Sequence, residues 1–239
     1  MIRLVVHMNK TIKKIIDLIA ELFFPQDPIE LQVAEVVSNI AKIQCDEGDR
    51  ITVYPHPAYS FFAYRHPTIR SMIWRLKYRG DKSVATLFAK RIHDQLCEEL
   101  AELAEWKDFK KPLLIAIPVT KRKLRIRGFN QSAAICKALA DIDEGRFFHY
   151  IPNVLYKIKD TKSQARVKDK LSRLQNLKDS FVVKDISGNR NNGSGKNVLL
   201  DQNVILLDDV LTTGSTLTEA SRILRNSGAR NIIWVVVAH

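Results

Sequence analysis

Cysteine is scarce in this chain. There are three, Cys45, Cys97 and Cys136, and no two share a Cys-x-x-Cys spacing. That excludes a zinc knuckle built on paired cysteines and gives no disulfide framework. Cys97 and Cys136 both fall in helical patterns and are expected to be buried thiols, which fits a reducing cytoplasm. Long apolar runs are also lacking. No stretch approaches the ~18–20 residues that a membrane-spanning helix needs. No apolar core followed by a small-residue cleavage site stands near Met1, so no leader is expected. Acidic residues are in deficit, with 26 Asp and Glu against 38 Lys and Arg. The net charge of +12 and pI near 9.7 point to a polyanionic partner, either nucleic acid or a phosphorylated ligand. Charge alone does not choose between these, and solubility is the plain alternative. Otherwise the chain has the balance of a globular protein, 46% apolar and 27% charged over 239 residues. That length suits one large domain, or a core domain with a small appendage.

The most informative stretch is Val204-Ile-Leu-Leu-Asp-Asp-Val-Leu-Thr-Thr-Gly-Ser-Thr-Leu217. A four-residue apolar run reads as a buried strand ending at Leu207. Two adjacent carboxylates follow, Asp208 and Asp209. Then comes a hydroxyl- and glycine-rich turn, Thr212-Thr213-Gly214-Ser215-Thr216, and a helical pattern. Such a turn offers N–H groups and hydroxyls at a helix N-terminus, which suits a phosphate. Gly214 lets the backbone come close to a ligand. The carboxylates would repel the phosphate itself. They suit neutral hydroxyls, or a cation that accompanies the phosphate. Together these groups describe a site for a phosphorylated sugar. The alternative is an ordinary turn in which Thr213 or Ser215 caps a helix.

Along the chain, residues 11–24 read as a short amphipathic helix, with an interfacial membrane helix as the alternative. Asp27-Pro-Ile-Glu30 starts a second helix with its apolar face running to Ile43. Residues 68–79 and 83–104 read as helices, and Leu113 to Ile117 as a short strand. A basic loop, 118–129, places Lys121, Arg122, Lys123, Arg125 and Arg127 within seven residues. Asn130 can cap a helix through Ala140. Val154 to Ile158 reads as a strand, 163–177 as a charged helix and Phe181 to Val183 as a strand. Residues 187–195 have the composition of a flexible loop. A helix over Thr216–Asn226 and a strand over Ile232–Ala238 complete the pattern. Alternating strands and helices indicate a parallel sheet with helices on both faces. The loops 118–129 and 208–216 both leave carboxyl ends of strands, so one cleft can hold both.

Four segments carry a family resemblance. The 204–217 stretch resembles the phosphoribosyl pyrophosphate (PRPP) loop of type I phosphoribosyltransferases. Ile117-Pro-Val-Thr-Lys-Arg-Lys-Leu-Arg-Ile-Arg-Gly-Phe-Asn-Gln131 is similar to the Pro-Val…Arg-Arg-Gly-Phe-Asn-Gln signature of the ComF family, phosphoribosyltransferase-like proteins tied to DNA uptake in competent bacteria. Thr161-Lys-Ser-Gln164 with Arg173, Asn176 and Phe181 is similar to a third block of that family. Tyr64-Arg-His-Pro-Thr-Ile-Arg70 running to Leu76-Lys-Tyr-Arg-Gly80 is similar to a fourth. The resemblance implies a type I phosphoribosyltransferase-like domain over 51–239 behind a helical N-terminal region, 1–50. It implies PRPP and Mg²⁺ as ligands. Asp208 and Asp209 would take the ribose hydroxyls, with Mg²⁺ close by, directly or through water. Thr212, Thr213, Gly214, Ser215 and Thr216 would hold the 5′-phosphate. Arg127, with Asp208 and Asp209, would serve a phosphoribosyl transfer in which pyrophosphate leaves.

The family usually carries paired zinc-binding cysteines after a Leu-Phe-Pro segment. Here Leu22-Phe-Phe-Pro25 is followed by Gln26-Asp-Pro-Ile-Glu30, so no zinc is expected. Single-stranded DNA is a second expected partner, through Lys121, Arg122, Lys123 and Arg125 and the basic residues of 157–173. Phe129 is expected to pack rather than to stack on a base. Competence-machinery proteins are possible partners, and no membrane insertion is expected. The alternatives to an enzyme in DNA uptake are a non-catalytic PRPP sensor or adaptor, and a nucleobase-salvage phosphoribosyltransferase.

Overall fold

The computed structural model describes residues 50–53, 56–159, 178–184 and 197–239. Two strands open it, β1 (Arg50–Val53) and β2 (His56–Phe62), followed by helices α1 (Pro67–Arg79) and α2 (Lys82–Lys107). Then come β3 (Leu113–Ala116), α3 (Lys121–Arg127), α4 (Gln131–Asp143), β4 (His149–Tyr150), β5 (Leu155–Lys157) and β6 (Phe181–Val183). The chain closes with β7 (Val204–Val210), α5 (Ser215–Asn226) and β8 (Ile232–Ala238).

Six strands form one sheet in the order β1-β2-β8-β7-β3-β4, and β5 pairs with β6 as a separate antiparallel ribbon. All neighbours in the large sheet are parallel except β1 and β2. The middle strands are apolar nearly throughout because both faces are covered. Every residue of β8 is buried. Alternation along β7 divides the core. Ile205 and Leu207 join a cluster with Ile73 and Leu76 of α1, Phe88 and Ile92 of α2, and Leu139 of α4. Val204 and Leu206 join the opposite cluster with Leu217, Ala220 and Leu224 of α5.

The topology also places a crevice. β3 and β7 lie side by side and parallel, with Leu113 opposite Val204 and Ala116 opposite Leu207. The chain leaves β3 towards β4 on one side and leaves β7 towards β8 on the other. The connections diverge at this pair, and their carboxyl ends are where a crevice opens in such sheets.

Several sequence expectations change here. β7 does not stop at Leu207. Asp208 pairs with Val236 and Val210 with Ala238, so both carboxylates belong to the strand and the turn begins at Leu211. The expected basic loop is largely helix. Thr120 caps α3 by accepting from the Lys123 N–H at 3.3 Å, and Gly128 ends it in the left-handed region at φ 81°. Strands β1, β2 and β4 had no distinct signal. α2 and α4 run on to Lys107 and Asp143. The expected helices over 11–24 and from Asp27, the charged helix over 163–177 and the loop over 187–195 lie outside the described residues. Among those described, no helix is long and apolar enough to cross a membrane.

Candidate functional site

The two carboxylates at the end of β7 have different surroundings. Successive strand residues point to opposite sides, so each is held by its own partner. Asp208 Oδ1 accepts from the Ser132 hydroxyl at 3.1 Å and from the Asp209 N–H at 2.9 Å. Asp209 is buried and meets the Lys77 ammonium of α1, 2.7 Å from its Oδ2. That contact is a close, charge-assisted ion pair, and it engages Oδ2. Burial, then the charge of Asp209, pushes the Asp208 carboxyl up to about 7. For Lys77, burial works against the charged form. The attraction of Asp209 and Asp208 outweighs it, and its pKa stands above the ordinary lysine value.

The turn after β7 is rigidly seated. The Leu211 N–H donates to the Ala238 carbonyl at 2.9 Å. Gly214 sits at φ 72°, where a side chain is strained, and forms the N-cap of α5. Below it lies Trp234, whose ring is 3.4 Å from the place a Cβ would take. The Trp234 indole N–H is tied to the Ser221 hydroxyl at 2.8 Å. Thr213 and Ser215 hydroxyls share a hydrogen bond of 2.9 Å above the helix start. The first N–H groups of a helix have no intrahelical acceptor. They and the helix dipole therefore favour an anion at this point.

A cavity of about 280 Å³ joins these parts. Its lining includes Asp208, Asp209 and Thr212 to Thr216 from the β7 side, Thr120, Lys123, Arg127 and Gln131 from the β3 side, and Lys77 and Tyr64. Arg127 donates to the Gln131 side chain at 3.3 Å, and its guanidinium lies 5.1 Å from the Tyr78 ring centre. Asn130 holds this segment to the sheet. Its side-chain N–H donates to the Ile117 carbonyl at 2.9 Å, while its oxygen caps α4 by accepting from the Ser132 N–H at 3.1 Å. The structure thus brings Arg127, Asp208, Asp209, Thr212, Thr213, Gly214, Ser215 and Thr216 to one cleft.

The residues expected to contact nucleic acid divide. Lys123 lines the cleft. Lys121 lines a second cavity, of about 390 Å³, with Tyr150 and Tyr156. Arg122 and Arg125 are exposed and line neither. Phe129 packs against Gly80, as expected. Cys136 is buried, but Cys97 is only half-buried, because α2 turns it towards the end of α4 rather than into the core.

Sequence reading assigned no role to Lys77, Ser132, Gln131 or Tyr64. Lys77 stands in the Leu76-Lys-Tyr-Arg-Gly80 block and Tyr64 opens the block before it, so their place in family-like segments was the available signal. Ser132 was hidden behind its capping partner Asn130.

The phosphoribosyl transferase domain family matches residues 154–239. Competence protein F of Haemophilus influenzae is 29% identical over 171 residues, which cover 68% of this chain and 65% of that protein. DNA utilization protein YhgH of Escherichia coli O157:H7 is 28% identical over 125 residues, 51% of this chain and 47% of that protein. Competence protein ComFC of Streptococcus pneumoniae is 22% identical over 191 residues, 80% of this chain and 70% of that protein. The chain therefore spans less than two thirds of the first two relatives. A solved PRPP amidotransferase from B. subtilis overlays loosely, with a TM-score of 0.31 and 16% identity over 57% of this chain and 24% of that one. A mostly parallel sheet, a phosphoribosyl transferase domain match over 154–239 and similarity along much of the chain to competence and DNA-utilization proteins agree on a ComF-like protein with a phosphoribosyltransferase-type fold.

Proposed function

We propose that the protein binds PRPP, or a close phosphorylated ribose, with Mg²⁺ at the carboxyl ends of β3 and β7, and acts in DNA uptake in the cytoplasm. The observation that carries the ligand reading is the meeting, in one 280 Å³ cavity, of a phosphate-type turn, an acidic pair and the cations Lys77, Lys123 and Arg127. The role in DNA uptake rests on the competence and DNA-utilization names of the relatives.

In this reading Thr212 to Thr216 hold the 5′-phosphate with N–H groups and hydroxyls. Asp208 and Asp209 accept from the ribose hydroxyls. Asp209 Oδ2 is already held by Lys77, and a carboxylate oxygen keeps a further lone pair for such a group. The same carboxylates are hard oxygen donors and fit Mg²⁺, which takes few protein ligands and keeps waters. The ion, when bound, neutralises charge on the pyrophosphate. Lys123 and Arg127 face the leaving group from the β3 side, and Lys77 supplies a third positive charge. A nitrogen nucleophile bonds to C1′ as the C1′–O bond breaks, the electron pair leaves with pyrophosphate, and the nucleophile's proton passes to solvent or a base. Preplaced cations lower that barrier because charge builds on the leaving oxygen.

A non-catalytic reading has its own support. Arg122 and Arg125 lie outside the cleft on an exposed helix, where a single-stranded DNA backbone could reach them. The experiment that separates the two is pyrophosphate release from PRPP–Mg²⁺ across a panel of amines and nucleobases. Turnover with an acceptor supports transfer. PRPP binding without turnover on any acceptor supports a sensor or adaptor on the same fold.

A further inference from the structure

Away from the cleft, α2 and the end of α4 bring together a different set of side chains. His93 and Cys97 stand one turn apart on α2, a spacing that puts both on one face. Asp143 is the last residue of α4 and is fully buried. His93 Nε2 lies 3.3 Å from Asp143 Oδ1 and 3.4 Å from Cys97 Sγ. The three ligand-type atoms all fall within 4.8 Å of one another.

Both contacts converge on the same ring nitrogen. A ring nitrogen carries either one proton or one lone pair. Protonated, it can share its N–H between the carboxylate and the sulfur, both of them acceptors, in a forked bond. A nucleophile–histidine–carboxylate relay uses the two different ring nitrogens, so this cluster is not one. A metal ion would use the same convergence more fully, since all three atoms can point a lone pair at one centre. Around a tetrahedral zinc-type ion, with N and O at about 2.0–2.2 Å and S at about 2.3 Å, ligand atoms stand roughly 3.3–3.7 Å apart. The two measured contacts lie in that range.

The carboxylate is already oriented for the task. Asp143 Oδ2 accepts from the Phe147 N–H at 3.1 Å and the Phe148 N–H at 3.3 Å. Such outer contacts are the usual supports of a metal ligand. His93 and Cys97 are partly exposed, with 16% of the His93 side chain open to solvent, so an ion can enter and a water can complete its shell. One imidazole, one thiol and one carboxylate are a mixed N, S, O set, which favours zinc-class ions over Mg²⁺ or Ca²⁺.

We propose that His93, Cys97 and Asp143 form a three-ligand site for a Zn²⁺-class divalent metal that clamps the end of α4 to α2. This departs from the expectation of no zinc, which followed from the lack of paired cysteines after Leu22-Phe-Phe-Pro25. The proposal stands independently of PRPP binding.

The test uses the full chain, stripped with a chelator and titrated with Co²⁺. The expected result is one equivalent bound, with a thiolate-to-cobalt charge-transfer band in the near ultraviolet that equimolar Zn²⁺ removes. Cys45→Ser should keep the band and Cys97→Ser should lose it. His93→Gln should weaken binding at least about tenfold. Zinc should also raise the melting temperature of the wild type but not of His93→Gln, whose own cooperative melt without zinc shows that the variant is folded. A full chain that shows no band overturns the proposal, as does a band that survives in Cys97→Ser or disappears in Cys45→Ser.

Discussion

Asp208 concentrates the tension in the cleft. It is a partly buried carboxyl beside a second carboxylate, with its pKa raised from 3.8 to about 7. A raised native value means that the folded state holds the proton more tightly than the unfolded chain does. The stabilisation is complete below about pH 4 and is lost as pH rises through about 7. Asp208→Asn keeps an oxygen for Ser132 and removes the charge. The ligand-free variant should therefore be more stable than wild type at pH 8, by on the order of 1–4 kcal/mol, with the gap closing towards pH 5. Thermal melts at the two pH values check this, and a gap that does not depend on pH contradicts it. Gly80 gives a second residue-scale expectation. Its φ is 65°, and a Cβ there would sit 2.9 Å from the Phe129 ring. Gly80→Ala should cost about 1–3 kcal/mol in denaturant unfolding and disturb the segment that carries Arg127. At this scale the sequence showed the chemistry of Asp208, Asp209 and the 212–216 turn, because those groups are contiguous. It could not show that Ser132 holds Asp208, a partnership across 76 positions. Nor could it show that His93 and Asp143 meet, because folding alone brings them together.

The elements explain why the 117–131 segment does two things. α3 is short, has no buried residue and exposes Leu124 and Ile126. Its capping by Thr120 and Gly128 supplies what packing does not. Thr120→Ala should cost about 1 kcal/mol and loosen the placement of Lys123 and Arg127. A rise in the Kd for PRPP larger than the fall in global stability would show that loosening. The cations that face away from the cleft form a separate test. Replacing Lys121, Arg122 and Arg125 with Ala should lower the slope of log affinity for single-stranded DNA against log salt by about 2 units, at about 0.7 per phosphate contact. PRPP affinity should change little. Fluorescence anisotropy at several salt concentrations reads this, and an unaltered slope removes these residues from the DNA interface. A run of Lys and Arg has no apolar period to mark a helix, so α3 reads as a loop in the sequence. Two carboxylates look like a strand's end, so β7 reads as ending at Leu207. At the sheet's carboxyl edge, however, Asp208 still pairs with Val236.

For the whole molecule, the decisive feature is the divergence of the chain at β3 and β7. Each face of the sheet has its own apolar cluster, so the central strands stay buried and the ligand groups gather at one edge. That architecture was legible because β8 is an unbroken apolar run, β7 opens with one over 204–207, and helical patterns alternate with them. β1 and β2 were not, since an antiparallel hairpin at a sheet edge leaves no such run. The central claim is that this edge holds a phosphoribosyl ligand with Mg²⁺. Isothermal titration of the full chain with PRPP and Mg²⁺, alongside the Asp208→Asn, Asp209→Asn double variant, tests it most directly. Lost charged hydrogen bonds at roughly 1.5–3 kcal/mol each should bring the variant's affinity down by at least about tenfold. The account expects saturable, Mg²⁺-dependent binding to the wild type and its loss in the variant. Equal binding to both proteins, or none to either, would contradict it.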